Sequence, residues 1–155
     1  MELPRFMVRV YALIVHERHL LLSDECYQAQ HFTKFPGGGL EFGESPPQCL
    51  AREIREELNV ALAGYEHFYT TDFLQYSAFH NKTQLINIYY LARVNNPEII
   101  KATYTVEPNY PKSQNEYYFR WVNTDYLQKE MLTFPMDKHV AGLFLSSLSL
   151  NKVFI

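Results

Sequence analysis

Three glutamates at helical spacing are the feature of this sequence with the clearest chemical potential. Glu53, Glu56 and Glu57 lie three and four residues apart, so on a helix they project from one face and repel one another unless a cation lies among them. Hard divalent cations prefer carboxylate oxygens, and Mg²⁺ is usually held by one or two carboxylates together with substrate phosphates. The alternative interpretation of such a cluster is a solvated acidic helix face.

The residues around the cluster predict the helix that positions it. Ser45 and Gln48 fit a capping box, and Pro46 stands at the first helical position, where proline is best tolerated. Good helix formers follow without a glycine. An apolar stripe for packing against a core recurs at three- and four-residue steps, and it consists of Leu50, Ala51, Ile54 and Leu58.

Two features favour a metal site over a solvated face. Arg52 precedes the cluster and can reach Glu56 one turn later, or fold back toward Glu44, so that a carboxylate is held in place. Three consecutive glycines, residues 37–39, precede the helix, and glycine allows the backbone to approach a ligand closely.

The spacing of these residues resembles the Nudix box, GX5EX7REUXEEXGU, in which U is an aliphatic residue. Here Gly38 is followed after five residues by Glu44 and after seven more by the segment REIREELNV, residues 52–60. Asn59 stands where the family has its second glycine. That position usually needs a left-handed backbone, for which asparagine is the commonest substitute.

The resemblance implies a set of metal ligands. By position, Glu53, Glu56 and Glu57 would hold the metal, joined by the backbone carbonyl of Gly38. The expected ion is Mg²⁺, for which Mn²⁺ can substitute. Such an ion orients a diphosphate, stabilises charge on its oxygens and lowers the pKa of a bound water.

The resemblance also implies roles for further acidic and basic residues. Arg52 and Glu44 would form a structural pair that steers the cluster, and Glu41 is a weaker, solvated candidate. The general base varies within the family, and it is either a box glutamate or a glutamate from a distant loop. Glu107 and Glu116 are the loop candidates here, and Glu116 is preferred because it lies at the mouth of a strand.

Nudix enzymes hydrolyse a nucleoside diphosphate linked to another group, by water attack on phosphorus, and the resemblance implies this activity here. Nucleoside triphosphates, nucleotide sugars and dinucleoside polyphosphates remain open as substrates. Tyr76 falls near the position of a tyrosine that marks dinucleoside polyphosphate enzymes, but in a chain with twelve tyrosines this is weak evidence. The alternative is a catalytically silent Nudix domain that binds a nucleotide-like ligand as a sensor, although such domains tend to lose carboxylates that are all present here.

Length and composition predict one domain over residues 1–155. A net charge of −3 argues against a nucleic-acid surface, so the expected partner is a small nucleotide-type molecule, and a homodimer is left open. Cys26 and Cys49 are too few for a disulfide framework. Neither a signal peptide nor an 18-residue apolar run is present, which predicts a cytoplasmic protein that does not enter membranes.

Apolar and aromatic patterns predict the remaining elements. Residues 7–15 and 20–23 are expected to form a hairpin, residues 24–34 a surface loop, and residues 67–79 and 83–94 a second hairpin. A long loop over 95–115, a strand over 116–122 with Trp121 buried, and a helix over 135–150 follow. The apolar side of that helix would consist of Val140, Leu143, Phe144 and Leu148.

These elements predict an α/β fold in which helices flank a mixed sheet. The resemblance implies the same architecture, a Nudix-type α/β/α sandwich with the box helix on one face and the C-terminal helix on the other.

Overall fold

The computed structural model describes residues 1–150, and in that part of the chain it contains eight strands and two α-helices. The strands are β1 (Arg5–His16), β2 (His19–Tyr27), β3 (Gln30–Lys34), β4 (Gly37–Gly39), β5 (Leu62–Thr70), β6 (Thr83–Val94), β7 (Ala102–Tyr104) and β8 (Glu116–Asn123). The helices are α1 (Pro46–Leu58) and α2 (Pro135–Ser149), and short 3₁₀ turns lie at Pro97–Ile99 and Lys129–Met131.

The chain forms two compact units, each drawn from separate stretches of sequence. Among the described residues, the first unit comprises residues 1–13 and 36–100, and the second comprises residues 14–35 and 101–150. The long strand β1 therefore contributes its first part to one unit and its last residues to the other. The prediction that residues 1–155 form a single domain stays a prediction.

The first unit contains the glycines, the helix α1 and an antiparallel sheet in which β6 lies between β5 and β1. The short strand β4 pairs with β1, and this register places Gly37 opposite Tyr11 and Gly39 opposite Arg9. The strand predicted over 83–94 is confirmed as β6.

The predicted partner of β6 is shifted along the chain. Strand β5 begins at Leu62 rather than at residue 67, and it ends at Thr70 rather than at residue 79. Just past the end of β5, the hydroxyl of Thr71 accepts the backbone N–H of Asn87 at 2.6 Å, in the place of a backbone carbonyl.

The second unit holds a mixed set of strands. β2 pairs antiparallel with the end of β1, with β3 and with β8, while β7 lies parallel to β8. The surface loop expected over residues 24–34 is wrong, because β2 continues to Tyr27 and returns as β3 through Gln28 and Ala29, both at positive φ. Asp24 and Lys34, the first and last residues of that segment, are both buried with charged partners.

The segment 95–115 contains structure of its own, namely the first 3₁₀ turn and β7. The strand after it and the burial of Trp121 are confirmed. Helix α2 begins at Pro135 as expected, and Val140 and Phe144 are fully buried. Leu143 is exposed, which corrects the predicted apolar side, because the buried face is centred on positions 136, 140 and 144.

A mixed sheet with two α-helices confirms the predicted α/β class. Within residues 1–150 no helix has the length and apolar character needed to cross a membrane.

Candidate active site

Helix α1 positions the candidate site, and its ends are set by local sequence. The hydroxyl of Ser45 accepts the backbone N–H of Gln48, and the Gln48 side chain accepts the N–H of Ser45 at 2.8 Å, so the predicted capping box is formed. At the other end Asn59 is left-handed, with φ 55° and ψ 34°, as expected for a residue in place of glycine. The buried face, which fixes the rotation of the helix, consists of Cys49, Leu50, Ile54 and Leu58.

Arg52 is the cation among the carboxylates. Its Nε and Nη2 donate to the two carboxylate oxygens of Glu44 at 3.0 and 2.7 Å. Its Nη1 donates to Glu53 at 3.0 Å and to Glu56 at 3.2 Å. The two contacts that the sequence offered as alternatives, forward to Glu56 and back to Glu44, are therefore made together, and the guanidinium offsets the repulsion between the glutamates.

Burial separates the carboxylates into an inner and an outer group. The side chains of Glu44 and Glu53 are 15% and 12% exposed, whereas that of Glu56 is 59% exposed. Hydrogen bonds from Arg52, and next from the Glu41 backbone N–H, lower the pKa of Glu44 to about 2. Glu41 itself is largely exposed, and its carboxylate lies 3.8 Å from Arg52.

The glycines of β4 lie directly against this helix. Gly37 has a φ of 143°, and any side chain there would overlap the carbonyl of Val10. A side chain on Gly38 would overlap the carboxylate of Glu53. The N–H of Gly37 donates to the carboxylate of Glu57 at 3.3 Å. The glycine strand therefore brings backbone close to two of the three clustered glutamates.

The chemistry of these donors suits a hard divalent cation, because such ions take oxygen ligands from carboxylates. Among residues 1–150, however, no group of three or more His, Cys, Asp or Glu side chains is arranged so that it could hold a metal ion. Glu53 and Glu56 instead share Arg52, and Glu57 accepts from Gly37. The assignment of Gly38, Glu53, Glu56 and Glu57 as metal ligands stays a prediction.

Arg9 is a cation beside the site that sequence reasoning did not select. It pairs with Gly39 in the β1–β4 ladder, and its Nε donates to the hydroxyl of Tyr11 at 2.6 Å. The Tyr11 ring stacks on Tyr89 with centroids 5.3 Å apart. A lone arginine within the apolar strand 7–15 was the available signal, but only the register shows that it lies opposite Gly39, next to the glycine that begins the box.

The second unit contains the two loop glutamates proposed as general base. Glu116 is the first residue of β8, pairs with Cys26 and is exposed. Glu107 is also exposed, and its N–H donates to Thr105 at 3.1 Å. Neither assignment is tested by these contacts, which lie within the second unit.

A buried ion pair anchors the loop that carries Glu107. Arg120 donates to Asp24 at 2.9 Å, and both side chains are at least 98% buried. Arg120 also donates to the carbonyl of Val106, and Asp24 accepts the backbone N–H of Asn109, so the loop is held on both sides of Glu107. Glu116 was preferred because it lies at the mouth of a strand, and the anchoring of the loop that carries Glu107 makes the two candidates more equal.

The fold is that of a mixed α/β protein. Its candidate site consists of acidic groups on one helix, and a short glycine strand comes before that helix in the chain. A model of the NUDIX domain matches residues 5–143. The chain therefore belongs to the Nudix family, and its enzyme class is that of Nudix hydrolases acting on phosphoanhydride bonds.

Solved structures share this fold. The chain is similar to the E. coli ORF135 protein, with 18% identity, a TM-score of 0.66, and coverage of 97% of this chain and 96% of that one. It is also similar to MutT from Aliivibrio salmonicida and Vibrio cholerae, with 16% identity, a TM-score of 0.61, and coverage of 92% and 98%. A NUDIX hydrolase from Nitrosomonas europaea gives 19% identity, a TM-score of 0.64, and coverage of 91% and 89%. No curated protein sequence matches the chain.

Proposed function

We propose that this protein is a Mg²⁺-dependent pyrophosphohydrolase that cleaves the diphosphate linkage of a nucleoside diphosphate joined to another moiety. The observation that carries the proposal is the acidic face of α1, where Glu53 and Glu57 lie against the glycine strand and Glu56 is exposed next to Arg52. Its geometry is maintained by Arg52, which Glu44 holds with two hydrogen bonds. A silent domain would have no need to keep all three carboxylates, two of which lie against the glycine strand.

In this proposal Glu53, Glu56 and Glu57, with the carbonyl of Gly38, would hold the metal. When bound, Mg²⁺ (or Mn²⁺) would neutralise charge on the diphosphate and lower the pKa of a water. Arg52 and Glu44 act as positioning residues, because Arg52 is anchored on Glu44 and on the carbonyl of Gly39 at 3.0 Å. Phosphoryl transfer needs little from the protein beyond positioning and charge stabilisation.

Arg9 is a candidate for binding the diphosphate, because it lies opposite Gly39 and carries a positive charge. Arg9→Gln should raise the KM for substrate more than it lowers kcat, since the loss would fall mainly on ground-state binding. Arg9→Lys, which keeps the charge, should restore part of the KM. An unchanged KM in Arg9→Gln would remove this residue from the site.

The proposal is tested by nucleotide and phosphate release from nucleoside triphosphates, nucleotide sugars, ADP-ribose and dinucleoside polyphosphates, with and without Mg²⁺. Turnover should require Mg²⁺, and Glu57→Gln should reduce kcat by at least about 100-fold, as expected for loss of a metal-site carboxylate. Glu66→Gln, at an exposed position on β5, is the matched control and should keep full activity. Nucleotide binding without turnover on any substrate would favour the sensor alternative instead.

The general base is assigned by a second comparison. Glu116→Gln and Glu107→Gln are expected to differ. Substitution of the true base should lower kcat by about 100-fold or more and should remove the acidic limb of the pH–rate profile. Glu130→Gln, also exposed in the second unit, is the control. If both variants keep wild-type turnover, the base is a glutamate of the box itself.

We infer a cytoplasmic location and a small nucleotide-type partner from the sequence, together with the two free, buried cysteines. Homodimer formation is open to direct measurement by light scattering.

A further inference from the structure

A cavity of about 310 Å³ lies in the first unit, away from the box residues in sequence. It is formed by the start of β1 and by the segment that leads into β6. This volume is at the lower end of the range found for small-molecule sites. Its lining residues are Pro4, Arg5, Phe6, Tyr76, Lys82 and Gln84.

Two positively charged residues line this cavity. The backbone N–H of Arg5 donates to the carbonyl of Lys82 at 2.9 Å, which sets the two residues next to each other. The Arg5 Nε donates to the buried hydroxyl of Thr83 at 3.2 Å, so the guanidinium is oriented while its side chain remains 52% exposed. None of the six lining residues is acidic, although the chain as a whole carries a net charge of −3.

One acidic side chain borders this pair of charges. The carboxylate of Glu2 lies 4.0 Å from Arg5 and is itself 54% exposed, so solvent screens the contact strongly. The Lys82 ammonium donates to the backbone carbonyl of Glu2 at 3.1 Å, which is a neutral acceptor and does not cancel the positive charge. The cavity therefore keeps a local excess of positive charge.

Two exposed aromatic rings complete the cavity. Phe6 and Tyr76 have 67% and 65% of their surface exposed, which is high for large aromatic residues. The backbone of Tyr76 is held in place, because it bridges to Gln84 and its neighbours Gln75 and Ser77 both bond to β6. Exposed rings on a fixed backbone offer flat apolar surface at a low entropic cost of ordering.

We propose that this cavity is a second ligand site, for a small molecule that combines a flat ring with an anionic group, the chemistry of a mononucleotide. Phe6 and Tyr76 contact the ring, and Arg5 and Lys82 bind the phosphate. This site uses no residue of the carboxylate cluster, so its occupancy needs no divalent cation, and the inference does not depend on the proposed hydrolase activity.

The test is isothermal titration of the full chain with AMP, GMP, CMP and UMP in the presence of EDTA, which removes metal-dependent binding at the box. At least one mononucleotide should bind at a single site. The corresponding nucleoside and inorganic phosphate should each bind at least tenfold more weakly, because the nucleoside lacks the anionic group and inorganic phosphate lacks the ring. A nucleoside that binds as well as the mononucleotide would contradict the role given to the two cations.

Variants locate the site. Tyr76→Ala and Lys82→Gln should each weaken binding at least tenfold, while Lys82→Arg should retain most of it. Tyr126→Ala and Lys112→Gln, at exposed positions of the second unit, are the matched controls and should bind as wild type does. Thermal unfolding of each variant shows whether it is folded.

Three results would overturn the proposal. The first is that no mononucleotide binds in EDTA. The second is that folded Tyr76→Ala and Lys82→Gln bind with wild-type affinity. The third is that Glu57→Gln abolishes binding, which would place the ligand at the carboxylate cluster instead.

Discussion

At the scale of single residues, the most informative contact is the double hydrogen bond between Arg52 and Glu44. It joins the loop before α1 to the helix, and it leaves the third nitrogen of the guanidinium to hold Glu53 and Glu56. A lysine could not make these contacts together, because its ammonium is a single point charge. The site therefore depends on arginine at this position for geometry as well as for charge.

This contact predicts a pH-dependent contribution to stability. The pKa of Glu44 is lowered from 4.5 to about 2, so in the acidic range the unfolded chain binds a proton that the folded chain does not. The contribution is complete above about pH 5 and is lost as the pH falls towards 2. Glu44→Gln should be less stable than wild type at pH 7, and the difference should shrink steadily as the solution is acidified.

Urea unfolding at pH 7, 5 and 3 measures this effect, with Glu66→Gln as the control for removing an exposed carboxylate. A stability difference between wild type and Glu44→Gln that stays constant over this range would show that the Arg52 contact is not responsible.

At the scale of elements, helix α1 is terminated by a residue in a conformation that most side chains avoid. Asn59 adopts φ 55°, and its N–H bonds to the carbonyl of Arg55. An alanine in this conformation costs roughly 1 kcal/mol, whereas glycine is unstrained there. Asn59→Ala should therefore lower the free energy of unfolding by about 1 kcal/mol, and Asn59→Gly should stay within about 0.5 kcal/mol of wild type. Equal loss in both variants, measured by urea unfolding, would contradict this role.

The buried pair Asp24–Arg120 joins β2 to β8 and to the loop at 106–109. Removing one partner leaves a buried charge uncompensated, which typically costs 3–5 kcal/mol. Arg120→Met should therefore lower the free energy of unfolding by about 3–5 kcal/mol. Arg18→Met is a matched control, because Arg18 and Asp125 form a short ion pair of 2.7 Å that is more than 60% exposed.

The control variant should lose less than about 1 kcal/mol, as exposed ion pairs do. Losses of similar size in Arg120→Met and Arg18→Met would show that burial does not determine the strength of the Asp24–Arg120 pair.

At the scale of the whole molecule, metal binding should appear as added stability. A ligand that binds only the folded chain adds about 1.4 kcal/mol at ten times its Kd, which for a chain of this length raises Tm by about 3–6 °C. Mg²⁺ should produce this saturable rise in wild type and in Glu66→Gln. Glu56→Gln and Glu57→Gln should reduce it. A rise of the same size in all four proteins would indicate a general salt effect rather than binding at the cluster.

The sequence by itself determined the helix α1, its two ends and the spacing of its glutamates. These features depend on contacts between residues at most a few positions apart, such as Ser45 with Gln48, so local propensity and spacing suffice to predict them. The family followed from the same 23 residues, and the strands with strong apolar patterns, β1 and β6, were also predictable.

Only the tertiary structure decided which distant groups meet. A surface loop was expected over residues 24–34, yet Arg120, 96 positions away from Asp24, allows this charged residue to be buried in a strand. Arg9 lies opposite Gly39 because of strand register, which no local pattern encodes. Burial of a charge and pairing of strands both depend on partners far along the chain, and for this reason the neighbours of the site could be found only in three dimensions.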